Sequence, residues 1–183
     1  MNSINLIGLL VLTYLVLFVE GLPGGVRDLI GVQIDLLPSI MVYAGMSSSV
    51  ATVALLAFVG GIGFDGLSAN PLGISILPLF AVGFFVQQQR ELILSNQDYA
   101  QFVVGLAASA LVPLFTLLSL FGIGEQPLIG WGSLLQWLLL ALAGGLFTPF
   151  WFRLFGRLRK AFIYPTVAES SFNPDRQIDR GRA

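Results

Sequence analysis

Three glycines, Gly61, Gly63 and Gly66, have the spacing G-x-G-x-x-G, with which many proteins bind the pyrophosphate of a dinucleotide. That chemistry also requires a preceding strand, a following helix and an acidic residue about 20 positions farther along the chain. Here the glycines instead end a long apolar segment, where glycine lets membrane helices pack closely. We therefore predict no nucleotide cofactor.

The same segment ends in an acidic residue, Asp65, which follows Gly61-Ile62-Gly63-Phe64. A glycine directly before an aspartate is typical of intramembrane aspartyl proteases, but Phe64 separates the two here. No second acid lies within an apolar segment to share a proton with it. The simpler prediction is that Asp65 or Asn70 accepts the free N–H groups of a helix that begins at Pro71. A direct contact between Asp65 and a partner or ligand is the alternative.

Two residue types that carry much of enzyme chemistry are missing, because the chain has no Cys and no His. Their absence excludes disulfides, thiolate nucleophiles, imidazole bases and the usual Cys and His metal ligands. We predict no catalytic residue, no metal site and no enzymatic activity.

The composition predicts a membrane protein. Of 183 residues, 56% are hydrophobic and 10% are charged, whereas about a quarter are charged in soluble domains. Five uncharged stretches can each cross a bilayer, which takes about 20 apolar residues, and one of them, 36–64, has room for a helical turn at Gly45–Ser49. We therefore predict an all-α integral membrane protein, a compact bundle of six transmembrane helices with approximate spans Ile4–Val19, Leu36–Met46, Val50–Phe64, Pro71–Val86, Phe102–Phe121 and Trp131–Phe152. A count of five spans remains open.

The distribution of charge predicts the orientation. Residues 1–152 hold two basic and seven acidic side chains, whereas residues 153–183 hold seven basic and three acidic ones. Basic residues next to a span favour the cytoplasmic side, so a basic anchor should hold the carboxyl end there, and it comprises Arg153, Arg157, Arg159 and Lys160. We predict a polytopic membrane domain at 1–160, a mobile cytoplasmic tail at 161–183, and contact with membrane lipids rather than nucleic acid.

Small residues recur four positions apart on the last two predicted spans. They are Gly105, Ser109 and Pro113 on the fifth, and Ala141 and Gly145 on the sixth. Such faces allow close helix approach, and packing within the chain is the default expectation.

The segment from Ala54 to Leu79 resembles the characteristic segment of the rod shape-determining protein MreD family. The shared pattern is a glycine-rich span ending in aspartate, a short turn, then Pro-Leu-Gly and a second apolar span. The matching residues are Gly60, Gly61, Asp65, Leu67, Pro71, Leu72 and Gly73, with Asn70 in the turn. A looser match lies at Asp35-Leu36-Leu37-Pro38, where the family has Pro before Asp, so the resemblance covers about residues 35–90.

The resemblance implies a non-catalytic, multi-pass component of the bacterial inner membrane that belongs to the cell-elongation machinery and needs no cofactor. It implies binding to the transmembrane helix of MreC and support of rod shape and lateral peptidoglycan synthesis. Through MreC, the protein would connect MreB filaments to RodA and its penicillin-binding transpeptidase. The family's membrane domain is similar to the substrate-binding subunits of energy-coupling-factor transporters, which favours six spans over five.

A second interpretation is a small-solute-binding or transport subunit with a cavity between helices, closed by the irregular loop 20–35. The few polar residues within the spans count against it, since they are single and uncharged: Ser109, Thr116, Ser119 and Gln136.

Overall fold

The computed structural model describes residues 3–22, 35–68, 70–91, 97–125 and 130–163, and this part of the chain contains six α-helices and no β-strand. Most of the loop 20–35 and nearly all of the predicted tail 161–183 therefore lie outside the described residues. The helices are α1 (Ser3–Glu20), α2 (Leu37–Ser47), α3 (Val50–Leu67), α4 (Ile76–Gln88), α5 (Asp98–Gly122) and α6 (Trp131–Ile163). The all-helical class is confirmed for the described residues.

Three helices are long and apolar enough to cross a membrane, namely α3, α5 and the part of α6 up to Leu158. The apolar parts of α1, α2 and α4 are shorter. At about 1.5 Å per residue, the 11 residues of α2 span only about 16 Å of a hydrocarbon core about 30 Å thick. The structure is therefore that of a helical membrane protein, whereas the number of complete spans stays a prediction.

The short helix α2 lies at the centre of the bundle. Eight of its 11 residues are buried, and it packs against α1, α3, α4 and α5. Trp151 of α6 donates its indole N–H to the Ser39 hydroxyl across 2.9 Å, and Tyr43 meets the ring of Phe152 edge to face at 5.0 Å between centroids. A helix that is apolar on every side is stable where other helices surround it.

The outward faces of the bundle are apolar as well. Leu77, Leu146 and Trp131 are 67%, 65% and 88% exposed, and many other large apolar side chains are exposed too. A soluble protein rarely leaves so much apolar surface in contact with water. These faces are suited to lipid or to the helices of a partner.

The predicted small-residue faces of α5 and α6 pack against each other, which confirms packing within the chain. A Cβ atom at Gly105 would overlap the Thr148 hydroxyl, and one at Gly144 would overlap the Ser109 side chain. The sequence prediction named Gly145 rather than Gly144; a Cβ atom at Gly145 would lie 3.0 Å from the Phe102 ring. Both glycines on α6 therefore face α5.

Five helices begin within a few residues of the predicted positions, but the prediction that a helix begins at Pro71 is wrong. Residues 72–75 form a turn, and α4 begins at Ile76.

The chain divides into two compact units, Met1–Phe152 and Arg153–Ala183. The predicted domain boundary at residue 160 stays a prediction.

The helices α3 and α4 approach closely at Gly61. A Cβ atom there would lie 2.9 Å from the backbone N and Cα atoms of Ile76, and backbone has little freedom to move aside. Gly66, on the same helix, has nothing within 4 Å of such an atom. Only the first of these glycines is required by packing.

We expect Gly61→Ala to destabilise the protein by an amount on the order of 1–3 kcal/mol, because the helices must separate to admit the methyl group. The matched variant Gly66→Ala should leave stability unchanged or raise it by up to about 1 kcal/mol, since alanine favours helix. Thermal unfolding in detergent measures both. Equal melting temperatures for the two variants would contradict the close contact.

Candidate functional site

Two residues of the family resemblance, Asp65 and Gly73, meet at the carboxylate of Asp65. This side chain is 1% exposed. Its Oδ2 accepts the backbone N–H groups of Gly73 at 2.7 Å and Ser75 at 3.1 Å, and its Oδ1 accepts the Ser75 hydroxyl at 2.5 Å. We call this arrangement of Asp65, Gly73 and Ser75 the Asp65 joint. It fastens the end of α3 to the turn that leads into α4.

Glycine at position 73 is required by backbone conformation. Its φ of +93° lies in the left-handed region, which side chains other than glycine rarely adopt. A Cβ atom there would meet only the Ile76 Cδ1 atom, at 3.7 Å, so space is not the constraint. The left-handed residue belongs to the turn from which the two N–H groups reach Asp65.

The other motif residues have separate positions. Gly60 faces Thr13 of α1 and Leu37 of α2 at ordinary contact distances of 3.4 Å and 3.5 Å from a built Cβ atom. Pro71 is exposed, and Leu72 is 74% exposed. Asn70 donates its backbone N–H to the Ser68 hydroxyl at 3.4 Å. Asp65, rather than Asn70, therefore accepts the N–H groups that precede α4.

Ser75 is the residue of the joint that the sequence analysis missed. No signal in the sequence identified it, because a serine N-cap at position 75 is recognisable only once the start of α4 at Ile76 is known. The side chain makes no cap hydrogen bond to the helix, and its hydroxyl donates to Asp65.

Two further acids lie close to the joint. Glu20 Oε1 accepts the N–H of Leu36 at 3.1 Å, which connects the end of α1 to the start of α2. Asp35 is 7% exposed, and its Oδ1 accepts the N–H of Leu37 at 2.9 Å. The sequence analysis found no second acid within an apolar segment, but Asp35 lies close enough for the negative charge of Asp65 to act on it.

Burial raises the pKa of both acids and so favours their protonated forms. Glu20 follows the predicted span that ends at Val19, and Asp35 precedes the one that begins at Leu36. Burial, together with the charge of Asp35, raises the pKa of Glu20 to about 8, although the Leu36 N–H opposes the shift. Burial raises the pKa of Asp35 to about 7; the Leu37 N–H lowers it and the charge of Asp65 raises it.

The joint is suited to holding helices together. Both oxygens of Asp65 accept hydrogen bonds from residues that lead into α4. Within the described ranges, no group of three or more acidic side chains is arranged to hold a metal ion. What the arrangement does is connect the ends of four helices, α1 to α4, at one end of the bundle.

The predicted basic anchor lies on the last part of α6. Arg153 and Arg157 are exposed there. Arg159 and Lys160 belong to the same helix, but their side chains lie outside the described part of the structure.

No protein-family model, no curated protein and no solved structure matches this chain.

We expect the stability of the protein to fall as pH rises through neutrality. Folded Asp35 keeps a proton that the unfolded chain releases, so its contribution is complete below its ordinary pKa of 3.8 and is lost as pH rises through about 7. Asp35→Asn can still accept the Leu37 N–H but cannot ionise. Its melting temperature should therefore fall less than that of the wild type between about pH 5 and about pH 8.

The control for this measurement is Glu125→Gln, which neutralises an exposed acid and should keep the wild-type pH dependence. If the melting temperature of Asp35→Asn depends on pH as that of the wild type does, the Asp35 carboxyl is not the source of the pH dependence.

Proposed function

We propose that this chain is a non-catalytic component of the bacterial inner membrane, similar to the MreD family, that binds the transmembrane helix of MreC within the cell-elongation machinery. RodA with its penicillin-binding transpeptidase, and MreB, would be reached through MreC. The observation that carries the proposal is the Asp65 joint. Gly61, Asp65 and Gly73, three of the seven matching residues, fix how α3 meets α4.

Two features support a binding role over catalysis. Asp65 accepts three hydrogen bonds from its own chain, and the neighbouring acids, Glu20 and Asp35, accept the N–H groups of Leu36 and Leu37 at the start of α2. Each carboxylate is thus engaged in holding backbone. We propose that the protein acts by presenting helix surfaces.

A six-span arrangement with both termini in the cytoplasm is the topology we propose. In its favour, Glu20, Asp35 and Asp65 gather at one end of the bundle, whereas Asn5, Ser48 and Arg90 line one pocket elsewhere. Such grouping is what consecutive antiparallel helices produce. The shortness of α2 is compatible with it, because the surrounding helices rather than lipid cover its ends and sides.

The surface we propose for the MreC helix is a groove between α4 and α5. It has a volume of about 550 Å³ and is lined by apolar side chains with Gln89 as the polar exception. The small residues Ala81 and Ala107 line it, together with the large residues Phe85 and Phe115. Small residues let a second helix approach closely, and large neighbours supply contact area. The Asp65 joint fixes the start of α4, and therefore fixes one wall of this groove.

The same groove is the one observation that favours a solute-binding subunit, since its volume is in the usual range for ligand sites. Its lining gives a polar solute a single amide, that of Gln89. An apolar occupant such as a helix matches this surface better.

The test is co-purification of MreC with the tagged protein from bacterial membranes. We expect Ala107→Trp, which fills the groove, to reduce recovered MreC by about tenfold or more, as expected for blocking a well-packed interface centre. The matched control Ala54→Trp alters another exposed alanine, on α3 and outside the groove, and should recover MreC as the wild type does.

Wild-type protein that recovers no MreC would overturn the proposed partner. Recovery that both tryptophan variants leave unchanged would keep the partner and overturn the groove as its binding surface.

A further inference from the structure

A polar pocket lies where α1, the α2–α3 turn and the end of α4 meet. Its volume is about 250 Å³, and its lining includes Asn5, the three serines 47–49, Thr52 and Arg90. The pocket is unlike the rest of the surface, where apolar side chains predominate. A concentration of polar groups beside apolar helix faces is typical of the headgroup level of a bilayer.

Arg90 is the only basic side chain in this pocket, and the only one among the described residues before Arg153. Its guanidinium forms no ion pair with any residue in the described ranges. Glu91 follows it in the chain and is exposed, but does not line the pocket. The exposed guanidinium of Arg90 is therefore accessible to an external anion.

The walls of the pocket are held in place by the chain itself. The Ser48 N–H donates to the Ala44 carbonyl at 2.8 Å, and Gln87 donates its side-chain N–H to the Ser48 carbonyl at 3.4 Å. The Ser49 and Thr52 hydroxyls share a hydrogen bond of 3.2 Å. These contacts fix the α2–α3 turn against α4, next to Arg90.

We propose that this pocket binds the phosphate of an anionic phospholipid, independently of which protein partner the chain has. The guanidinium of Arg90 is the residue type best suited to a phosphate, because it presents several N–H donors in one plane. The Ser47 hydroxyl already donates to the Tyr43 carbonyl at 2.7 Å, so we assign the other contacts to Asn5 and Ser48.

The apolar surroundings favour a lipid over free phosphate as the source of this anion. Ile7 and Val50 are 59% and 42% exposed, and they adjoin the lining residues Leu6 and Ser49 in sequence. A lipid whose phosphate occupies the pocket has acyl chains to place on such surfaces, and each buried methylene adds to binding. Free phosphate gains nothing from them.

The experiment uses the full-length protein in bilayer nanodiscs that contain phosphatidylglycerol and phosphatidylcholine, followed by native mass spectrometry of the lipids that stay bound. We expect the wild type to retain phosphatidylglycerol preferentially. Arg90→Gln should retain about tenfold less, as expected for loss of a hydrogen-bonded charge, and Arg90→Lys should retain an intermediate amount. Arg176→Gln, which removes one positive charge from the carboxyl-terminal tail, should match the wild type.

Several results would overturn the proposal: equal retention by Arg90→Gln and wild type, equal retention of the two lipids, or displacement of the lipid by added inorganic phosphate, which would make free phosphate the ligand. Because Arg90 is exposed, its variants should fold, and circular dichroism checks this. Ser48→Ala provides a second variant without a charge change, and it should also reduce retention.

Discussion

A carboxylate buried among apolar helices must find hydrogen-bond donors for its oxygens, because its desolvation otherwise costs more than the fold can supply. In this protein that requirement falls on Asp65. Gly73 and Ser75 meet it with two N–H groups and a hydroxyl. To bring these donors into place the chain must make a turn after α3, adopt a left-handed conformation at Gly73, and bring α4 against Gly61.

The position of α4 has consequences for the rest of the bundle. With α3 and α5 it surrounds the short helix α2, and with α5 it forms the apolar groove in which Ala107 lies. The Asp65 carboxylate is thus satisfied inside the chain, and the outward faces remain apolar. Such apolar faces are suited to contact with lipid or with the helices of a partner, which is why we propose a binding role in the membrane.

Much of the helical layout was predictable from the sequence, because uncharged stretches mark membrane helices through a strong local signal. The pairing of Asp65 with the residues before α4 was predictable as well, since N–H groups at a helix start need acceptors. The start of α4 at Ile76 was not, because it depends on donors eight and ten residues away from Asp65. The approach of Asp35 to Asp65 depends on how α2 and α3 pack, which no local pattern encodes. The count of spans and the partner remain predictions.

The most direct test of the Asp65 joint is amide hydrogen exchange, measured residue by residue in detergent micelles. The Gly73 and Ser75 amides lie outside any helix, yet they should exchange as slowly as amides within α3, and Asp65→Asn should accelerate the exchange of at least one of them by about tenfold or more. The amide of Leu72, whose side chain is 74% exposed, serves as the reference within the same turn. Exchange of Gly73 and Ser75 at the rate of Leu72 in the wild type would contradict the account.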